Sequence, residues 1–233
     1  MTTFVLVHGA WHGGWAWRDV APLLREAGHE VLTPTLTGMG DRHHLLTSDS
    51  GVAQHVADIL ATIAHAEAED VVLVGHSYGA RPTALAAADP AVRQWISLDG
   101  VAIAPGATLF DGAPPEAIAA TRAALINDGL ALPPLPAEVV GVPAGHPGHA
   151  WVTRRMTPMP FRCVEEPMPA VPPRFHALPR AYVLALGNTM AGPAGGHAQA
   201  QAEGWPIVPI DSGHDLPVTA PRETASALLR LAA

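Results

Sequence analysis

Gly75-His76-Ser77-Tyr78-Gly79 constrains this chain more than any other stretch. It follows Val71-Val72-Leu73-Val74, a short, β-branched apolar run, and leads into the Ala-rich stretch Tyr78 to Ala88. The first reads as a buried strand and the second as a helix. The pattern G-x-S-x-G at such a junction describes a sharp strand-to-helix turn. A serine there is forced into a strained backbone conformation, and the flanking glycines let neighbouring chain approach without a Cβ clash. The hydroxyl stands at the carboxyl edge of a sheet, above a helix N-terminus that favours developing negative charge. Ser77 is therefore the candidate nucleophile.

The rest of the chain alternates in the same way. Val5-Leu6-Val7, Val31-Leu32, Trp95–Leu98, Tyr182–Leu186 and Ile207–Ile210 read as strands. Trp15–Ala27, Val52–His65, Gly196–Glu203 and Pro221–Leu231 read as helices, and Thr37–Asp49 as a loop. Alternation of this kind predicts an α/β domain with a mostly parallel sheet. Fifteen of the 24 prolines fall between Pro105 and Pro179. A parallel sheet does not tolerate that density, because proline removes ladder donors. Residues 104–178 are therefore expected to be an insertion of short helices and turns, with 1–103 and 179–233 forming the core.

At 233 residues, 48% hydrophobic and 15% charged, the chain is expected to be one globular domain. No apolar run reaches the roughly 18 to 20 residues of a membrane span. No signal peptide is recognised at the start, and Cys163 is the lone cysteine, so a cytoplasmic protein is expected. A formal net charge of −8 disfavours nucleic acid as a partner. All 13 basic residues are arginine, which excludes Schiff-base chemistry on lysine.

A serine nucleophile needs a base. His214 stands in Asp211-Ser212-Gly213-His214-Asp215, between the last strand and the last helix, and hydrolases with this elbow run serine, acid, histidine along the chain. His8-Gly9-Ala10-Trp11 ends the first strand, where the Ala10 N–H can serve an oxyanion together with the Tyr78 N–H.

The stretch Phe4-Val5-Leu6-Val7-His8-Gly9-Ala10-Trp11-His12-Gly13-Gly14-Trp15-Ala16-Trp17 resembles the N-terminal signature of α/β-hydrolases related to plant methyl-ester esterases, hydroxynitrile lyases and their bacterial esterase relatives. The resemblance continues through Gly75–Gly79, Arg155-Met156-Thr157-Pro158-Met159-Pro160 and Gly213-His214-Asp215. It implies the α/β-hydrolase fold, with helices on both sheet faces and a small helical cap between the family's sixth and seventh strands, here the Pro-rich insertion. It also implies a catalytic aspartate just after the strand that follows the cap. Asn188 stands at that place, and an amide cannot stabilise an imidazolium as an anion does. Asp99, which ends the strand after the nucleophile helix, is the preferred substitute; Asp211 and Asp215 are weaker candidates. The family's lyase branch relies on a lysine that this chain does not have.

His43-His44 and His146/His149 lie in loops without carboxylates at ligand spacing, so no metal site is expected. Arg81, one turn past Ser77, is read as half of a structural ion pair. Trp11, His12 and Trp151 are candidate pocket residues. The expected function is serine-dependent hydrolysis of a small to medium, hydrophobic carboxylic ester, without a cofactor. Lactonase, lyase or cyclase chemistry on the same scaffold and a receptor-like binder with weak turnover are the alternatives, and a homodimer is compatible with the sequence.

Overall fold

The computed structural model describes all residues from Met1 to Ala233. Strand β1 (Thr3–Val7) leads through a 3₁₀ turn at Gly14–Trp17 to α1 (Ala21–Glu26) and β2 (Glu30–Leu32). A second 3₁₀ turn, Gly40–Leu45, precedes α2 (Val52–His65). Strand β3 (Val71–His76) passes through the turn Ser77–Gly79 into α3 (Ala80–Ala86), followed by β4 (Val92–Leu98). The Pro-rich insertion supplies α4 (Pro115–Ala123), β5 (Ala131–Leu132), α5 (His149–Arg155), β6 (Met159–Pro160), α6 (Arg162–Glu165) and α7 (Pro173–Ala177). The chain closes with β7 (Arg180–Ala185), α8 (Ala191–Ala202), β8 (Ile207–Ile210), α9 (Leu216–Thr219) and α10 (Pro221–Ala232).

Six strands form one sheet in the order β2-β1-β3-β4-β7-β8, and every neighbouring pair is parallel. Strands β5 and β6 pair antiparallel within the cap. Alternate side chains of the main sheet feed two cores. Val5, Val7, Leu73, Trp95 and Tyr182 face one core, together with α2, α3 and much of the cap. Phe4, Leu6, Val72, Val74, Ile96 and Val183 face the other, against Leu24 of α1 and Leu228 of α10. Each such side chain contributes roughly 1.5–3 kcal/mol on burial, so a one-residue slip of register would reverse both faces at once. This is an α/β-hydrolase fold with a helical cap.

Two expectations change. The helix read over Trp15–Ala27 breaks into a 3₁₀ turn and α1, because Pro22 fits only a first helical turn and so fixes where α1 begins. Helix α8 starts at Ala191, ahead of the expected Gly196, with Pro193 in its first turn. The cap lies between β4 and β7, the fourth and fifth strands of this six-stranded sheet. No helix is long and apolar enough to cross a membrane.

Candidate active site

The parallel sheet brings the carboxyl ends of β1, β3, β4 and β8 to one edge, where α/β sheets offer their crevice. Ser77 sits at the tip of β3 with φ +53°, the left-handed conformation required by the turn. The glycines around it are there for space. A Cβ on Gly75 would collide with the Thr83 hydroxyl, and one on Gly79 would lie 2.7 Å from the His8 carbonyl.

His214 reaches Ser77 from the loop after β8. Its Nε2 lies 2.9 Å from Ser77 Oγ, and its Nδ1 lies 2.6 Å from Asp99 Oδ2. The Asp99 carboxylate accepts the Nδ1–H, which turns Nε2 toward the serine hydroxyl as an acceptor. Asp99 is fully buried, and its other oxygen accepts the Ala185 N–H at 3.1 Å. Asn188 stays within its own turn: its Oδ1 accepts the Met190 N–H at 2.8 Å, and its amide faces the Met190 carbonyl.

On the other side of Ser77, no acceptor in the chain takes the Ala10 N–H. The Gly9 carbonyl of the same peptide accepts the His8 Nδ1–H at 2.8 Å, while His8 Nε2 accepts the Leu36 N–H at 3.0 Å. One donor and one acceptor define a neutral ring, and burial lowers the His8 pKa to about 3. His76 is also neutral. Its Nε2–H donates to the His214 carbonyl at 3.0 Å, and burial, then the neighbouring His214, lower its pKa to about 3. The Tyr78 hydroxyl donates to His55 Nδ1 at 2.7 Å, pinning the elbow to α2.

An apolar cavity of about 480 Å³ opens over Ser77. Tyr78, Val101, Leu109, Phe110, Leu132, Met159 and Val164 are in its wall, and no charged residue is. Trp11 lines it. Trp151 does not: it meets Trp15 edge to face and carries the Arg18 guanidinium on its ring, so it belongs to an aromatic stack outside the cavity. His12 is likewise absent from the cavity wall. It lines a cleft of only about 10 Å³ beside Ser77 and His214, with its ring committed to the Ala10 carbonyl and Asp215.

Arg81 is not half of an ion pair. Its guanidinium is buried and donates to the carbonyls of Ala107, Cys163 and Glu166, so it ties α3 to the cap. No local sequence pattern could have shown this, since the acceptors are backbone groups 26 to 85 positions away. His55 and His76 were missed for the same reason. The one available hint was their position, His76 inside the elbow and His55 on the apolar stripe of α2.

The model of the "Alpha/beta hydrolase family" matches residues 4–227. A "Carbendazim hydrolyzing esterase" from Nocardioides sp. (strain SG-4G) is 38% identical over 99% of this chain and 100% of its own. "Methylesterase 2" from Arabidopsis thaliana is 42% identical over a local stretch, 36% of this chain and 32% of that protein. A solved extracellular alpha/beta-hydrolase from a Paenibacillus species superposes with a TM-score of 0.83 at 22% identity, covering 99% of both chains, a likeness of fold. The chain is related to bacterial esterases and to plant methylesterase and hydroxynitrile lyase-like enzymes. With one relative matched end to end and the family model running from β1 into α10, the chain belongs to the alpha/beta hydrolase family.

Proposed function

We propose that the protein is a serine esterase that cleaves a neutral, apolar carboxylic ester through an acyl-enzyme. The observation that carries this reading is the hydrogen-bonded series Asp99–His214–Ser77, ending at the floor of an uncharged cavity. Ser77 Oγ attacks the acyl carbon as His214 Nε2 takes its proton, and Asp99 holds the imidazolium that results. The N–H groups of Ala10 and Tyr78 receive the oxyanion. His214 then protonates the leaving alkoxide, and water repeats the sequence to release the acid. Written this way, the reaction needs no cofactor.

The two spaces beside Ser77 are unequal, and this bears on the substrate. The leaving oxygen must face His214, where the cleft lined by His76, His214 and Asp215 holds about 10 Å³. We assign the acyl group to the cavity of about 480 Å³. Bulk on the acyl side and a short alcohol fit this asymmetry. The end-to-end relative makes carbendazim a first compound to assay alongside simple methyl esters.

Proton release from methyl phenylacetate tests the reaction. Turnover lost in Ser77→Ala, with a fluorophosphonate probe labelling Ser77 in the unmutated protein, is the expected result. No turnover of any ester, or labelling that survives Ser77→Ala, would leave a ligand binder or another nucleophile. The cyclohexyl ester of the same acid should show kcat/KM lower by roughly tenfold or more, the scale on which pocket size discriminates. Equal values for the two esters would refute the short-alcohol assignment.

A further inference from the structure

His12 takes no part in the chemistry written above, yet its surroundings demand a charge. The ring is buried, with Nδ1 2.7 Å from the Ala10 carbonyl oxygen and Nε2 3.2 Å from Asp215 Oδ2. A carbonyl and a carboxylate only accept, and a neutral imidazole has one N–H to give. With Asp215 ionised, as its lowered pKa favours, both bonds together require the imidazolium. Burial opposes both charges, but the partners outweigh it: Asp215 raises the His12 pKa, and His12 lowers that of Asp215. The neighbouring His76 is neutral, with its pKa lowered by burial and one donated bond, so it adds no charge beside the pair.

The two residues are 203 positions apart and belong to the two loops that face each other over Ser77. His12 lies two residues beyond Ala10, whose carbonyl it holds. Asp215 follows His214 directly, and its carbonyl accepts the Val218 and Thr219 N–H groups of α9. His12 is further braced by stacking on Trp15, with ring centroids 4.9 Å apart. A rigid link therefore runs from the loop carrying the Ala10 N–H to the loop carrying the base, made of charge-assisted bonds, the stronger kind.

Resting on the roles given above to Ser77, His214 and the Ala10 N–H, we propose that the His12–Asp215 ion pair is a positioning clamp that holds the oxyanion loop in register with the catalytic histidine. Their polar atoms bond to each other and to the Ala10 carbonyl, not to Ser77 Oγ or the His214 ring. They act through Ala10 and His214, so the clamp is read chiefly in kcat.

Two measurements test it. The ¹⁵N NMR shifts of the ring nitrogens at pH 7 should show His12 doubly protonated in the wild type and neutral in Asp215→Asn. With methyl phenylacetate, Asp215→Asn should lower kcat per active site by roughly 10- to 100-fold, the cost of a small misplacement, with KM within about twofold. Active sites are counted by fluorophosphonate titration, so a variant that only loses folded protein keeps its kcat per site. The single variant leaves His12 facing a neutral amide; the double variant His12→Gln/Asp215→Asn removes both charges, keeps an amide bridge, and should recover part of kcat. A neutral His12 in the wild type, or wild-type kcat per site in both variants, overturns the clamp. A wild-type protein that neither turns over esters nor takes the probe fails at the esterase reading instead, and removes the clamp's catalytic role while the NMR result still reports the ion pair.

Discussion

Position 99 has φ +42°, and in the proposed triad it must also carry an anion. Aspartate meets both demands, because Asp and Asn visit the left-handed region more readily than other side chains. Asp99→Asn should therefore fold normally and lower kcat by about 10²- to 10⁴-fold, since the amide can bond His214 but cannot balance its charge. Asn188→Ala should cost less than about tenfold, because Asn188 bonds only to Met190. Steady-state kinetics on the two variants, with circular dichroism as the folding control, decides between them; near-normal kcat in Asp99→Asn would end the assignment of Asp99 as the acid. Ser77, His214 and Asp99 could be singled out in the sequence because each is marked by a strand end or a loop of known order. His12 could not. It looked like a pocket wall, and only the fold brings Asp215 to its ring.

Elements were legible where the side-chain period was strong. Helix α2 was read to the residue from Val52, Val56, Ile59, Leu60 and Ile63. The cap was legible only as a proline-rich interruption, because its short helices bury little of their own surface; α4 has no buried residue at all. What the cap does for the site lies in its contacts. Thr157 donates its N–H to the Trp11 carbonyl and accepts the Gly40 N–H at its hydroxyl, which sets the cap against the loop after β1. Gly141, at φ +93°, packs its backbone on that of His214, and a Cβ there would collide with the His214 nitrogen. Gly141→Ala should destabilise the protein by more than about 1 kcal/mol, through both the left-handed backbone and the clash, and should lower kcat by displacing His214. Gly145→Ala is the control. That glycine has open space around its Cβ position and no positive φ, so its stability change should stay within about 0.5 kcal/mol. Urea denaturation of the two variants measures the difference, and equal midpoints would mean that the cap yields where the structure shows contact.

At the scale of the whole molecule, the two-faced core follows from alternating apolar residues, but the strand order does not. β7 lies beside β4 although the entire cap separates them in the chain, and no local pattern carries that adjacency. The same folding step buries a set of histidines whose protonation then ties global stability to pH. His8 and His76 are held neutral, with pKa values lowered to about 3, while the unfolded chain binds these protons near pH 6.5. Below that pH the unfolded state carries more protons, so stability must fall as the pH drops. Between pH 7 and pH 5 each of the two costs about 2 kcal/mol. His55, also lowered by burial, acts in the same direction. His12 opposes them: its pKa is raised, so its contribution is complete below about pH 6.5 and declines as the pH rises toward its folded value. Over this interval it returns less than about 1 kcal/mol. Asp215, whose pKa is lowered, gives its full contribution above the unfolded value near 3.9 and so stays constant here. The losses exceed the gain, and the urea midpoint should fall steadily from pH 7 to pH 5. A midpoint that stays level or rises over that range would mean that His8 and His76 take up protons in the folded protein, which the single donor and single acceptor around His8 do not allow.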